Sequence, residues 1–453
     1  MSELRIGAGA LLLGLITATA ACGGDDPPGN DATTSTTTTT SGAGGHGAGG
    51  DGAGGAGAAG TGGEGGGGVG GNGVGGNGVG GSGGDGGAGA GGAGAGVGGA
   101  GVGGAGVGGA GGSGGGSATC VAPMAECDGN SATVCETDTT ASSEHCGACG
   151  HSCLGGACLA GTCQPVVLAD TQNNPWTIAL DDEHVYWTNG GQAASGNGSV
   201  ARVRKMGGDV QMIATGQSYP FIGIAVADDH VYWTNYTDGT VRRALIIGGG
   251  EETLATGQAN PKGIVVDATH AYWANNNGTI MRHPRGGSAQ PPELLSSVSG
   301  TKPYGVALGN GGIYWTVASA NVGSIQFLPL AGGPPAPIAE QQDLPLYLAT
   351  DTEHVYWVNT AAGPSIARAP LAGGAVDVLG SSPSAGAYGM TVAGDDVYFT
   401  NHQQGTITRA PSSPPEQAQV LVTGQGRPRM IAADDLAIYW VNQMDGTVMR
   451  LAR

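Results

Sequence analysis

Three sets of residues in this chain carry side chains suited to chemistry. The first is a run of eight cysteines: Cys120, Cys127, Cys135, Cys146, Cys149, Cys153, Cys158 and Cys163. An even, dense cluster reads as a disulfide framework, and eight cysteines allow 105 pairings. Cys146, Cys149 and Cys153 with His151 have a spacing that also suits zinc or an iron–sulfur cluster. Export, argued below, favours disulfides, and no metal or other cofactor is expected. The second set is histidine. His184, His230, His270 and His354 each stand just before a Tyr-Trp strand, at equivalent places in a repeat, so they lie on a wide ring beyond the roughly 2.0–2.1 Å reach of a zinc ligand. His402 with Glu340 or Asp343 is the one combination that would offer a general acid/base beside a carboxylate. The third set is defined by not repeating: Trp176, Phe221, Lys262, Tyr304, Tyr347, Tyr388 and Arg429 follow the turn that opens each unit. Tyr236, Asn277, His402 and Met444, with the insert 190–198, occupy a second kind of turn. Aromatic and cationic side chains around a concave mouth suit a carbohydrate, a peptide or an anionic ligand.

The elements that position these residues show in the spacing of aromatic pairs. Tyr186-Trp187, Tyr232-Trp233, Tyr272-Trp273, Tyr314-Trp315, Tyr356-Trp357, Tyr398-Phe399 and Tyr439-Trp440 recur at intervals of 46, 40, 42, 42, 42 and 41. Between them, short runs rich in Val, Ile, Thr and aromatics alternate with Gly, Asn and Asp turns, which is a strand signal. A period near 42 with four short strands per unit predicts propeller blades. One unit reads as strand a after a proline (Pro261–Asp267), strand b (Ala271–Asn275), strand c (Thr279–Arg282) and strand d (Glu293–Leu295). Seven units have strands a to c, but only six are followed by a strand d, and the run Pro165–Ala169 stands unused before the first unit. The expectation is an all-β, seven-bladed propeller spanning 165–453, closed by that N-terminal strand so that no sheet edge is left at a break in the ring. Tyr and Trp of strand b then point to opposite faces, one toward each neighbouring blade. The strand-c arginines Arg202, Arg243, Arg282, Arg368, Arg409 and Arg450 are expected to form inter-blade ion pairs with Asp181, Asp228, Asp267, Asp351, Asp395 and Asp434, with Phe327 in the arginine's slot in unit four.

The combination of Pro-x-x-Ile-Ala, Tyr-Trp-Thr-Asn and Gly-Thr-Val/Ile-x-Arg resembles the YWTD β-propeller of the low-density-lipoprotein receptor family across 165–453. The resemblance implies the propeller architecture. Two departures separate the chain from it: Asn189, Asn235, Asn275, Asn359, Asn401 and Asn442 stand where the family has Asp, and seven units stand where those receptors have six.

The segments before the repeats define a location. Residues 1–21 pair Arg5 with an apolar run too short to be a settled membrane span, followed by small residues and Cys22. This resembles a bacterial lipoprotein signal, which implies lipidation at Cys22 and anchoring to the cell envelope, at the outer membrane in preference to the inner, or else secretion. Thr19 stands where that family usually has Leu. Residues 22–117 form a Thr/Gly-rich tether, with 47 of the chain's 95 glycines between Ser41 and Ser117, too poor in apolar bulk to fold, and are expected to be disordered. Residues 118–164 form the small cysteine-rich module; its Cys146–Cys153 run is similar to cysteine-rich modules of exported bacterial proteins. Net charge is −19 and both halves are acidic, which argues against a nucleic-acid partner.

Together these features point to a monomeric, lipid-anchored, non-catalytic binding protein for a protein, peptide or glycan. Outside the glycine-rich tether the sequence holds no Gly-x-Ser-x-Gly run that could form a nucleophile elbow, and it holds no His-Glu-x-x-His helix. The alternative is a propeller enzyme of the lyase or lactonase type acting at the channel mouth through His402.

Overall fold

A computed structural model describes residues 120–129, 135–193, 195–361, 365–381, 386–412 and 417–453. The expected signal, Cys22 and the tether lie outside the described residues. All regular structure among the described residues is β, and it is dominated by seven four-stranded antiparallel sheets. Blade 1 consists of Pro175–Leu180, His184–Asn189, Gly198–Arg204 and Gln211–Gln217. Blades 2 to 6 repeat this a-b-c-d order in sequence. In blade 7 the sheet contains Pro428–Ala433, Ala437–Asn442 and Thr447–Ala452, and its fourth strand is Val166–Ala169. Val448 pairs with Ala169 and Arg450 with Val166, so the last strand of the chain is zipped to the first strand of the propeller. Strand a of blade 7 packs on strand a of blade 1, and the ring is closed.

The core lies between the blades. Each inter-blade cluster joins the tyrosine of one strand b to the tryptophan or phenylalanine of the next: Tyr186 with Trp233, Tyr232 with Trp273, Tyr272 with Trp315, Tyr314 with Trp357, Tyr356 with Phe399, and Tyr398 with Trp440. Tyr439 with Trp187 completes the circle across the seam. This follows from strand geometry, because successive side chains leave opposite faces of a sheet. It also explains why both positions are aromatic, since face-to-face sheets leave a gap of about 10 Å to fill.

The repeat carries a second device that composition did not reveal. The side-chain oxygen of a glutamine just ahead of strand a accepts the indole N–H of its blade's tryptophan, as in Gln217 to Trp233 (2.9 Å), Gln258 to Trp273 (3.0 Å) and Gln425 to Trp440 (3.0 Å). The same oxygen accepts from the asparagine two residues after the tryptophan, for example Asn235 (3.0 Å) and Asn275 (3.0 Å). That asparagine also donates to the hydroxyl opening strand c, Thr240 in blade 2 and Thr279 in blade 3. Indole is a donor only, so the glutamine must present oxygen to it; the asparagine must then present its amide nitrogen. Asp has no such hydrogen to give, and this is the physical reason for Asn in place of Asp.

The expected inter-blade arginine pairs are not formed. Four strand-c arginines bond the outer strand of their own blade: Arg243 pairs with Glu252 (2.7 Å), Arg282 with Glu293 (2.9 Å) and Arg368 with Asp377 (3.2 Å), while Arg202 bonds Gln211; Arg409 pairs with Asp396 of its own strand b (2.9 Å). Antiparallel register puts the partners of the first four directly opposite them. The turn acids have other work. Asp181, Asp267 and Asp351 accept the hydroxyl of their own blade's tyrosine, at 2.5, 2.8 and 2.7 Å, together with turn N–H groups. Two of the acids do cross between blades, Asp228 to Arg285 and Asp434 to Lys205, but neither to a strand-c arginine. In blade 4, Phe327 stacks on Tyr314, and the usual histidine position is Gly312, whose added Cβ would lie 2.1 Å from the Phe327 ring.

The cysteine-rich segment contains four disulfides: Cys120–Cys135, Cys127–Cys149, Cys146–Cys158 and Cys153–Cys163. These pairings use the thiols that a zinc or iron–sulfur site would have needed.

Candidate ligand-binding face

Strand a is irregular at the same place in six blades, and this irregularity aims its residues at the axis. In blade 3, Pro261 pairs with Asn275 and Ile264 with Trp273, so Lys262 and Gly263 together oppose the single residue Ala274. Equivalent bulges follow Pro175, Pro303, Pro345, Ala387 and Pro428. A bulge bends its strand and re-aims side chains. The residue next to the strand-b tryptophan often stabilises it. Thr316 accepts the N–H of Gly305 (3.0 Å) and donates to the Leu346 carbonyl of the next blade (2.6 Å). Thr400 does the same for Gly389 (2.9 Å) and the Arg429 carbonyl (2.6 Å). The glycine is required by the close approach: a Cβ on Gly389 would lie 2.4 Å from the Arg429 carbonyl oxygen.

The bulged residues converge. Trp176, Phe221, Tyr236, Tyr304, Tyr347 and Tyr388 form one buried cluster, joined by Tyr219 and Ile222. Trp176 meets Phe221 edge-on at 5.1 Å, Phe221 meets Tyr236 at 4.9 Å, and Tyr347 contacts both Tyr304 and Tyr388 at 5.2 Å. Two cations belong to the same group. The Arg429 guanidinium lies 4.1 Å from the Trp176 ring and 4.6 Å from that of Tyr388, and its Nε donates to Gln443 (2.8 Å). The Lys262 ammonium lies 4.4 Å from the Tyr304 ring. His402 is half-buried at the cluster's margin, its ring 5.4 Å from Tyr388. Its Nδ1 donates to the Gly386 carbonyl (3.0 Å), so that nitrogen carries hydrogen. Burial pushes the Tyr347 hydroxyl well above the ordinary phenol range, reinforced by Tyr388 and opposed by Arg429. The cluster is therefore rich in donors and positive charge, and the Trp176 indole N–H has no acceptor among the described residues.

Structure refines the sequence-based alignment at two of these positions. Counting from the tryptophan pair, Ile222 and Leu346 occupy the axial slot that Phe221 and Tyr347 were expected to fill. Phe221 sits one residue earlier because blade 2 has an extra residue there, and Tyr347 sits in the bulge itself. Both still reach the cluster. Gly190 of the long insert packs on Trp176, since a Cβ there would lie 2.8 Å from the indole ring. Around the cluster, the turns joining strands b and c expose Thr237, Asp238, Asn277, Gln403, Gln404 and Met444. The four repeated histidines lie elsewhere, each tilted against its own tyrosine at about 6 Å, as in His184 on Tyr186 (6.1 Å) and His354 on Tyr356 (6.0 Å). Asp343, one of the carboxylates considered with His402, accepts the N–H of Asn321 (3.1 Å).

No family model and no curated protein matches the chain. Among solved structures it is similar to virginiamycin B lyase from Staphylococcus aureus, at a TM-score of 0.54 and 17% identity, over 64% of this chain and 98% of that one. It is also similar to YCF48 bound to D1 peptide, at 0.50 and 11%, over 64% and 96%. Similarity to the nidogen/laminin complex is at 0.40 and 21%, over 47% and 85%. The first two likenesses show a shared fold and nothing more: the chain carries a seven-bladed β-propeller, and of the two similar structures one is a lyase and the other is bound to a peptide.

Proposed function

We propose that the protein is a non-catalytic binding propeller of the YWTD kind, lipid-anchored at Cys22, whose ligand docks on the face formed by the b–c turns over the buried cluster of Trp176, Tyr388 and Arg429. One observation carries this reading. The repeated polar residues are engaged in structural bonds, mostly within their own blades, whereas the non-repeating aromatic and cationic residues gather at one place on the axis. Donors and cations there favour an acceptor-rich, anionic ligand, and the amide and hydroxyl groups of the surrounding turns suit the hydroxyls of an acidic glycan. A peptide is the other chemistry with support, because YCF48, which shares the fold, is bound to a peptide. The full chain should be screened on arrays of acidic and neutral glycans and on peptide libraries. Saturable binding that weakens at least tenfold in Arg429→Gln is expected. His402→Ala, which alters a half-buried marginal residue, should weaken it without loss of the folded state. Binding indifferent to both substitutions would overturn the assignment of the face.

The second reading is a lyase. It is favoured by His402 and Arg429 both packing on the Tyr388 ring, which brings an acid/base group and a fixed cation to one aromatic side chain. Product formation from an acidic glycan, abolished in His402→Ala with binding retained, would replace the first reading with this one.

A further inference from the structure

The cysteine-rich segment meets the propeller at the seam where the ring closes, on the end opposite the candidate face. Strand c of blade 7 runs away from the b–c turns and ends beside the a–b turn, where Arg453 donates its N–H to Leu436. Cys146, Cys153, Cys158 and Cys163 are buried there in one cluster with Tyr398, Ile438, Trp440 and Leu451 of blades 6 and 7. His151 is held between two main-chain oxygens, one from its own module (Cys146, 2.6 Å) and one from the propeller (Arg453, 2.9 Å). Arg450 is the junction. The other strand-c arginines face a polar or acidic partner nearby in their blade, but opposite Arg450 stands Val166 of the N-terminal strand. Its buried guanidinium instead donates to the Leu154 carbonyl of the module and to the Lys205 carbonyl of blade 1. Lys205 in turn pairs with Asp434 of blade 7 (2.8 Å). Two residues separate Cys163 from Val166, the first residue of the closing strand.

We propose that the module is a lock for the ring and not a spacer. Its disulfides hold the closing strand and the blade 7–blade 1 seam in place, so that the integrity of the whole propeller depends on the redox state of cysteines outside it. Opening the lock requires a dithiol or phosphine reductant. Each disulfide accepts two electrons and two protons and becomes two thiols; a dithiol gives up both and leaves as its own disulfide, whereas a phosphine supplies the electrons and leaves as its oxide, with one water supplying the oxide's oxygen and the two protons. The propeller after Cys163 contains no cysteine, so any effect of reductant on it must be transmitted through the module.

The test is thermal unfolding of the full chain with and without tris(2-carboxyethyl)phosphine, followed by tryptophan emission, because all seven tryptophans lie in the propeller. Reduction should lower the propeller midpoint by roughly 5–10 °C. Hydrogen exchange should show protection lost first in 166–169 and 447–452. Arg450→Gln, with disulfides intact, should lower the midpoint and shrink the further effect of reductant, because the mechanical link to Leu154 is already cut. A propeller midpoint and exchange pattern unchanged by complete reduction would overturn the proposal, as would a reductant effect of undiminished size in Arg450→Gln.

Discussion

At the scale of single residues, the repeat is a hydrogen-bond circuit with little slack. Gln217 serves two buried donors with one oxygen, so Gln217→Ala leaves the Trp233 indole without an acceptor and strips the Asn235 amide of one of its two, the Thr240 hydroxyl remaining. With about 1–3 kcal/mol for each buried group left unsatisfied, a loss of about 2–4 kcal/mol is expected in urea unfolding. Asn235→Asp, the change toward the YWTD consensus, should also destabilise, and more at pH 7 than at pH 4, because only the protonated acid can donate to Gln217. Asp267 offers a pH signature of its own. Burial alone would raise its pKa, but the N–H groups of His270 and Thr269 and the Tyr272 hydroxyl outweigh this and bring it down to about 2. A carboxylate depressed in the folded state contributes stability that is present above its unfolded value of about 3.9 and is lost as pH falls through the folded value. Asp267→Asn should therefore flatten the decline of the unfolding midpoint between about pH 4 and pH 2 relative to the native chain.

At the scale of elements, the bulged strand a turns a structural repeat into a site. Its residues point at the axis because two of them oppose one residue of strand b, and the threonine of strand b closes the gap in the ladder. Gly389→Ala tests this geometry. The new methyl group would meet backbone on two sides, the Arg429 oxygen at 2.4 Å and the Met430 Cα at 2.7 Å, so the neighbouring blade must move. A loss of about 1–3 kcal/mol is expected, with a shift of Arg429 visible as weaker ligand binding. The aromatic strand b behaves differently. Trp233 is fully buried between blades 1 and 2, and Trp233→Ala should cost about 3–5 kcal/mol by leaving a cavity, with no selective effect on the face.

For the whole molecule, closure is what makes seven small sheets one cooperative unit. A chain beginning at Asp170 retains every residue of the candidate face but leaves blade 7 with three strands and an unpaired edge. Its calorimetric unfolding should broaden or split, and limited proteolysis should begin in blade 7. The amino-acid sequence by itself determined the number of blades, the strand order, the closing strand and the group of unlike residues from which the site is drawn. Those properties follow from periodicity and from residue types that recur or fail to recur, such as the seven aromatic pairs against the variable residues Trp176, Lys262 and Arg429. Only the tertiary structure decided the partners. Arginine and aspartate looked complementary across blades, but antiparallel register brought Arg243 to Glu252 and the tyrosine hydroxyl to Asp267. The glutamine that serves tryptophan and asparagine was invisible because it lies about sixteen residues from the tryptophan, in a turn whose conformation sequence does not specify. The extra residue before Ile222 moved the axial slot one position further from the proline in blade 2, whereas in blade 5 the slot directly after Pro345 is Leu346 and the aromatic Tyr347 stands beside it in the bulge. The docking of the cysteine-rich module was equally hidden, since a disulfide pattern specifies which cysteines are joined only once the chain is folded, and the surface it packs against is formed by residues 296 and 302 positions away, at Arg450 and Arg453.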